Sequence, residues 1–457
     1  MRVCHTLQPV FDDPNLVAFG GLPAVMRLAE QAGLYELVEQ HVTVPGTAGA
    51  NAPVKVSALI AGMVVGADSI SDLDVLRHGG MGRVFDGLRA ATTLGTHLRA
   101  YRFGHVRQLD AVASRLLIKL AGLSPILDGA DQLTFVDVDD TIRETHGYRK
   151  QGAAYGYSRV KGLNAILATI STPNAAPVIA ATRLRKGNVS SARGAARLIG
   201  DTLATLRRAT TPSLVIVRAD SAYFNHATIA AITVGGARFS ITARMNQAVT
   251  RTIATIDEAA WTTIRYPQAI YDEAQQVWIS DAEVAEVPFT AFTSRRKADH
   301  VTARLVVRRV RRLNPNAKAQ GELLPGYRYH AVFTNSTFAL VDAEACHRDH
   351  AVIEGIFADL KDGPLAHAPS GKFMANSAWL ALTAMAFNLT RAAARIASKT
   401  LGRARTSTVR RTLIQVAARI ANQARTWLLH LPRNWPWEPQ LATLYNAAFG
   451  PPAAASP

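Results

Sequence analysis

The chain is expected to be an α/β protein: a mixed sheet with flanking helices, a helical N-terminal region and a β-rich insertion. Three observations lead there. Helical spacing of apolar residues dominates up to about residue 130, and then the texture changes at Gln132 to alternating, β-forming residues. A helical segment, SARGAARLIGDTLATLRRA (Ser191–Ala209), then precedes the continuous apolar run SLVIVRAD (Ser213–Asp220). Such a run reads as a strand buried on both faces. Finally, residues 246–335 carry short strand-like and turn-like stretches without strong helical periodicity.

In order along the chain, LPAVMRLAEQAGLYELVEQHV (Leu22–Val42) repeats apolar residues at helical spacing, with Pro23 near its start. Pro53–Gly79 suggests a helix, a turn at Gly66–Ser71 and a second helix. His105–Gly122 is another amphipathic helix, with Arg107, Arg115 and Lys119 toward its polar side. Short helices with scattered basic residues suit a DNA-binding module over residues 1–130, or equally a plain helical domain. QLTFVDVDDT, LNAILATIS and APVIAATRL follow as strands, then NHATIAAITVGG as a helix and ARFSITARM as a strand. A core over 131–245 is thus interrupted by the insertion over 246–335 and resumes over 336–397. Residues 398–457 form a tail in which GRARTSTVRRTLIQVAARIANQARTW (Gly402–Trp427) reads as a basic amphipathic helix. The terminal GPPAAASP is expected to be disordered.

Composition narrows the function. In 457 residues, Lys plus Arg number 51 against 34 Asp plus Glu, a net charge of +17. Such a surface attracts polyanions, because Lys and Arg displace counterions condensed on nucleic-acid phosphates. A membrane role is not expected: the most apolar run, Ala378–Leu389, is too short to span and contains Thr383 and Asn388, so it reads as a buried helix. The N-terminus has no apolar signal region, and Cys4 and Cys346, the only cysteines, make neither a disulfide framework nor a zinc set. A cytoplasmic location fits.

Chemistry concentrates in carboxylates. In FVDVDDT, alternation puts Asp137 and Asp139 on one face of a strand, with Val136 and Val138 on the other, while Asp140 begins the turn. Neighbouring buried carboxylates repel and need a cation, a proton or many donors. A divalent metal is one remedy; capping of the next element is the plainer role for Asp139 and Asp140. Asp220 ends the buried strand, where ligand sites of open α/β sheets fall, though a turn cap would also suit it. HRDHAVIEGIFADLK then supplies His347, His350, Glu354 and Lys361. On an ideal helix turning about 100° per residue, these four fall within an arc of roughly 60°. Val352, Ile353, Ile356, Phe357 and Leu360 cover a separate apolar arc. Two Asp on strands and a Glu on a later helix are what a two-metal phosphoryl-transfer site needs. A charged helix edge meeting water is the alternative. A zinc site from Cys346, His347, His350 and Glu354 is disfavoured because Cys346 leans away from the stripe.

With these residues in view, the chain resembles the DDE transposases of bacterial insertion sequences, which carry a ribonuclease H-like core. HRDHAVIEGIFADLK is similar to the signature Y-x-x-R-x-x-x-E-x-x-x-x-x-x-K: Glu354 and Lys361 match in register, while His347 stands for Tyr and His350 for Arg. DVDDT, KQGAAYGYSRVKGLNAILAT, RADSAYF, HRDHAVIE and LPRNWPW look like the insertion-sequence family numbered 1380. The likeness covers nearly the whole chain and is densest from Leu133 to Asn388. It implies cut-and-paste transposition by a homodimer acting on double-stranded DNA, at terminal inverted repeats and at a target. It also implies Mg²⁺ or Mn²⁺, two ions, held by Asp139, Asp220 and Glu354. Asp137 and Asp140 remain alternatives for the first Asp. Lys361 would contact phosphate, with His350 and His347 beside it on the DNA. A metal-dependent nuclease, or a non-catalytic DNA-binding descendant, stays open as an alternative.

Overall fold

The computed structural model describes the chain except residues 2, 4–5, 147–148, 266–270, 273–276, 279–281, 312–326, 424–425 and 452–457. It divides into two compact units. The first comprises Met1–Ile126, Arg149–Gln151 and Asp359–Pro457; the second comprises Leu127–Tyr148 and Gly152–Ala358.

The first unit opens with a two-residue strand, β1 (Leu16–Val17). Helices α1 (Leu22–Gln31), α2 (Leu34–His41), α3 (Gly46–Gly49), α4 (Ala52–Val65), α5 (Met81–Val84), α6 (Ala91–Ala100) and α7 (Phe103–Leu123) follow. The single helix expected over Leu22–Val42 is two. Gly33 adopts φ +70°, a left-handed conformation that closes α1 and starts α2, and that side chains with a Cβ rarely take. The second element of Pro53–Gly79 is a 3₁₀ helix, Ser71–Arg77.

The second unit is built on one sheet. Its strands are β2 (Leu133–Glu144), β3 (Ala154–Tyr155), β4 (Lys161–Ser171), β5 (Val178–Lys186), β6 (Leu214–Ala219), β7 (Arg238–Thr242) and β8 (Thr262–Ile264), then β11 (Ala282–Ala291), β12 (Val301–Arg311) and β13 (Tyr327–Thr334). The short strands β9 (Tyr271–Asp272) and β10 (Val277–Trp278) pair only with each other among the described residues. The order is β3-β4-β2-β6-β7-β13-β12-β11-β8, with β5 also on β4. β2 runs antiparallel to β4 and parallel to β6, which is parallel to β7. β4 is buried from Gly162 to Ser171, its apolar residues together with the polar Asn164, Thr169 and Ser171. The crossover helix between β5 and β6 is α8 (Ala195–Ala209), whose Leu198, Ile199, Thr202, Leu203 and Leu206 recur at helical spacing and are buried. Helix α9 (His226–Val234) joins β6 to β7. The stretch from residue 246 opens with a helix, α10 (Gln247–Ile253), where only strands and turns were expected. Its strands then continue the same sheet through the β7–β13 pairing. Helix α11 (Leu340–Arg348), a 3₁₀ turn (Asp349–Ala351) and helix α12 (Val352–Lys361) follow.

The remainder of the first unit contains α13 (Phe373–Ala397), buried on nearly every side including Thr383 and Asn388, and packed by α1, α4, α6 and α7. It matches the buried helix expected at Ala378–Leu389. Past it, the long basic helix expected over Gly402–Trp427 does not form. After α14 (Thr406–Val409) and a π-helical turn to Ile414, the chain makes an antiparallel hairpin, β14 (Ala418–Gln423) with β15 (Thr426–His430). Ala418 and Ile420 are buried and Arg419 is exposed, a strand alternation that the surrounding arginines disguise as a helical stripe. β14 also pairs with β1, Leu16 opposite Arg419. Helix α15 (Glu438–Phe449) closes the described chain, and residues 452–457 lie outside it. Among the described residues no helix is long and apolar enough to cross a membrane.

Candidate active site

The three aspartates of β2 meet three different surroundings. Asp137 is fully buried and sits in register with Arg218 of the neighbouring parallel strand. Arg218 grips it with both ends of its fork, Nε to Oδ1 and Nη2 to Oδ2, each at 2.7 Å. The same guanidinium donates to the Cys346 carbonyl at 2.7 Å and lies 4.3 Å from the Phe135 ring centre. His350 Nδ1 adds a contact to Asp137 Oδ1 at 3.0 Å. Burial alone would raise the Asp137 pKa, but the His350 and Arg218 hydrogen bonds outweigh it and hold the carboxyl below its ordinary value.

Asp140 does not begin a turn, since β2 continues to Glu144. Its Oδ2 accepts from Asn164 of β4 and from Arg185 of β5. Arg185 is fixed in turn by Asn164 Oδ1 at 2.8 Å and by the carbonyls of Ser191 and Arg193 at 2.7 and 2.8 Å.

Asp139, between them, has no arginine or lysine partner among the described residues. Its Oδ1 accepts from the backbone N–H of Asp140 at 2.7 Å. Burial, followed by the charge of Asp220, pushes its pKa up to about 6. The reason for the Asp220 effect is strand pairing. Val138 and Ala219 are the last parallel pair of β2 and β6, so Asp139 and Asp220 stand one step beyond it on adjacent strands. Asp220 caps the 3₁₀ turn Ser221–Tyr223 by accepting from Ala222 N–H at 3.0 Å. Loss of hydration around its carboxyl raises its pKa too, with Asp140 contributing repulsion. Two neighbouring carboxylates whose charged forms are disfavoured, with no arginine or lysine ion pair among the described residues, fit a divalent metal ion by their donor chemistry.

The helix expected from His347 to Lys361 is broken by the turn Asp349–Ala351, so its four polar residues do not share one stripe. His347 ends up against β7. Ser240 Oγ and Thr242 Oγ1 engage its Nδ1 and Nε2 at 3.0 and 2.9 Å. Burial pushes its pKa down to about 3, so the ring is neutral and acts as a packing contact. His350, in the turn, faces Asp137. Glu354 is exposed on α12, and Lys361, half-buried, ends that helix. Ile353, Ile356, Phe357 and Leu360 are buried as their spacing requires, whereas Val352 is exposed. Among the described residues, no three His, Cys, Asp or Glu side chains are grouped to hold an ion. This disposes of a preformed Cys346–His347–His350–Glu354 zinc set, and burial lifts the Cys346 thiol to about 11. It also leaves Glu354 apart from the Asp139–Asp220 pair in this conformation.

Sequence reasoning missed Arg218, Arg185 and Asn164, which decide the state of the aspartates. Arg218 did leave a signal: a charge inside the apolar run LVIVRA must find a buried partner.

A family model described as transposase DDE domain, group 1, matches residues 5–448, and the chain belongs to that family. No curated protein matches it.

Proposed function

We propose that the protein is the transposase of a bacterial insertion sequence, of the family numbered 1380 and the Y-R-E-K group, catalysing cut-and-paste transposition. Asp139, Asp220 and Glu354 are its metal-binding triad, for two Mg²⁺ or Mn²⁺ ions. The observation that carries this reading is the division of labour on β2: Asp137 and Asp140 are each neutralised by a buried arginine, while Asp139 is left beside Asp220. The order β5-β4-β2-β6-β7, with β2, β6 and β7 parallel, supports a ribonuclease H-like core. Bound divalent ions would supply activation of the attacking oxygen and stabilisation of the leaving one at a DNA phosphodiester.

The chain's own residues do the rest. Asp139, within β2, and Asp220, just past the end of the adjacent β6, offer carboxylate oxygens, and Glu354 joins them from the exposed edge of α12. Lys361, near the same DNA end, contacts phosphate. His350, oriented by Asp137, stands where the signature has arginine and contacts the DNA. Residues 1–130 bind the terminal inverted repeats, 131–245 and 336–397 form the core, and the enzyme works as a homodimer on double-stranded DNA. The net charge of +17 supports a polyanionic partner.

The test is excision in cells from a donor plasmid carrying the gene's native flanking DNA. Wild type is expected to excise and Glu354→Gln to lose excision while still binding the flanks. Equal excision by both would remove Glu354 from the site. Flank binding without cleavage by wild type, with Mg²⁺ or Mn²⁺ supplied, would favour a non-catalytic DNA-binding protein.

A further inference from the structure

The β11–β12 hairpin ends in the sequence Phe292-Thr-Ser-Arg-Arg-Lys-Ala-Asp-His300. Ten register pairs, from Ala282–Val310 to Ala291–Val301, carry this tip out on a continuous ladder. Arg295, Arg296 and Lys297 are exposed there, and none forms an ion pair among the described residues. The nearby acid, Asp299, is instead 3.8 Å from His226.

The tip is fixed in place. Phe292 takes φ +63°, a conformation rare for a bulky residue, and its ring packs tilted against Phe224 at 5.4 Å and meets His226 edge-on at 5.8 Å. Phe224 in turn packs on Phe333 of β13, which also contacts Phe239 and Phe289. This aromatic chain ties the hairpin to the loop directly after Asp220, four residues before Phe224. Arg244 reinforces that loop from the end of β7, donating to the Ser221 carbonyl at 3.0 Å.

The geometry points to a DNA-phosphate contact surface made by Arg295, Arg296 and Lys297, held beside the Asp220 loop by Phe292. It rests on the transposase reading and adds to it where the duplex is gripped close to the cleaved end. Three cations on a rigid ladder, without an ion-pair partner among the described residues, match a phosphate backbone in charge, and contacts to phosphate position the duplex without selecting its sequence.

The experiment is binding of full-length protein to an inverted-repeat duplex across a salt series. Each phosphate neutralised contributes about −0.9 to the slope of log K against log salt. Arg295→Gln/Arg296→Gln/Lys297→Gln is expected to flatten the slope by about 2 to 3. It should leave thermal unfolding unchanged, because the side chains are exposed. The charge-keeping Arg295→Lys/Arg296→Lys variant should retain the wild-type slope. An unchanged slope in the triple Gln variant, with wild type binding normally, would overturn this surface alone. Failure of the wild type to bind the duplex at low salt would overturn the transposase reading itself.

Discussion

Asp139 carries its charge at the expense of the fold. Its pKa of about 6, above the ordinary 3.8, means the folded chain holds this proton more tightly than the unfolded chain. The resulting stabilisation is complete below the unfolded value and is lost as pH rises through the folded one. At neutral pH the loss amounts to as much as about 3 kcal/mol, at about 1.4 kcal/mol per pH unit. Asp139→Asn is therefore expected to raise the melting temperature at pH 7 and leave it unchanged at pH 4. Wild type should gain thermal stability on adding Mg²⁺ or Mn²⁺, and Asp139→Asn should gain little. A variant that melts with the wild type at pH 7, or gains equally from metal, would place the ion elsewhere. Asp137 and Asp140 differ from Asp139 because each already has its cation built in.

Among elements, breaks were harder to read than bodies. Strands β2, β4 and β6 announced themselves through alternation or an apolar run, and α8 through its stripe. Helical spacing, however, reads straight through Gly33 and through Asp349–Ala351, because the apolar positions stay in phase on both sides. The β14–β15 hairpin was misread because arginine and apolar spacing in Gly402–Trp427 fits either period over a few residues. What decides it is pairing with Leu16, which lies opposite Arg419 and close to the other end of the chain. Long-range pairing also sets the candidate site: the residues Asp139 and Asp220 could be named from the sequence, but that they are neighbours follows from the β2–β6 register, which no local pattern encodes. The Gly33 break has a measurable signature. At φ +70° a Cβ is strained, and it would also meet Lys119 Nζ at 2.7 Å, a flexible tip that can move. Gly33→Ala is expected to destabilise the chain by about 1–2 kcal/mol, seen as a lower urea midpoint, with Gly33→Asn milder. An alanine variant as stable as wild type would mean that α1 and α2 tolerate fusion.

For the molecule as a whole, the first unit is assembled from both ends of the chain, with residues 127–148 and 152–358 of the second unit lying between. Gly20 N–H donates to the Val416 carbonyl at 2.7 Å, and Gln31 Nε2 to the Ala448 carbonyl at 3.0 Å. A Cβ on Gly21 would fall 1.6 Å from the Leu413 carbonyl oxygen, so the two segments meet backbone to backbone. On the ribosome, therefore, the sheet bearing Asp139 and Asp220 is fully synthesised while the first unit still lacks α13, β14 and α15. Every candidate site residue is encoded by codon 361, yet a nonsense codon anywhere between there and α15 should be a null allele. Limited proteolysis of a chain stopped after Thr400 should spare the sheet and digest residues 1–126; equal protection of both would refute that dependence. Reading-frame intactness through α13, β14 and α15 is thus a better sign of a working gene than the presence of the candidate site's acidic residues.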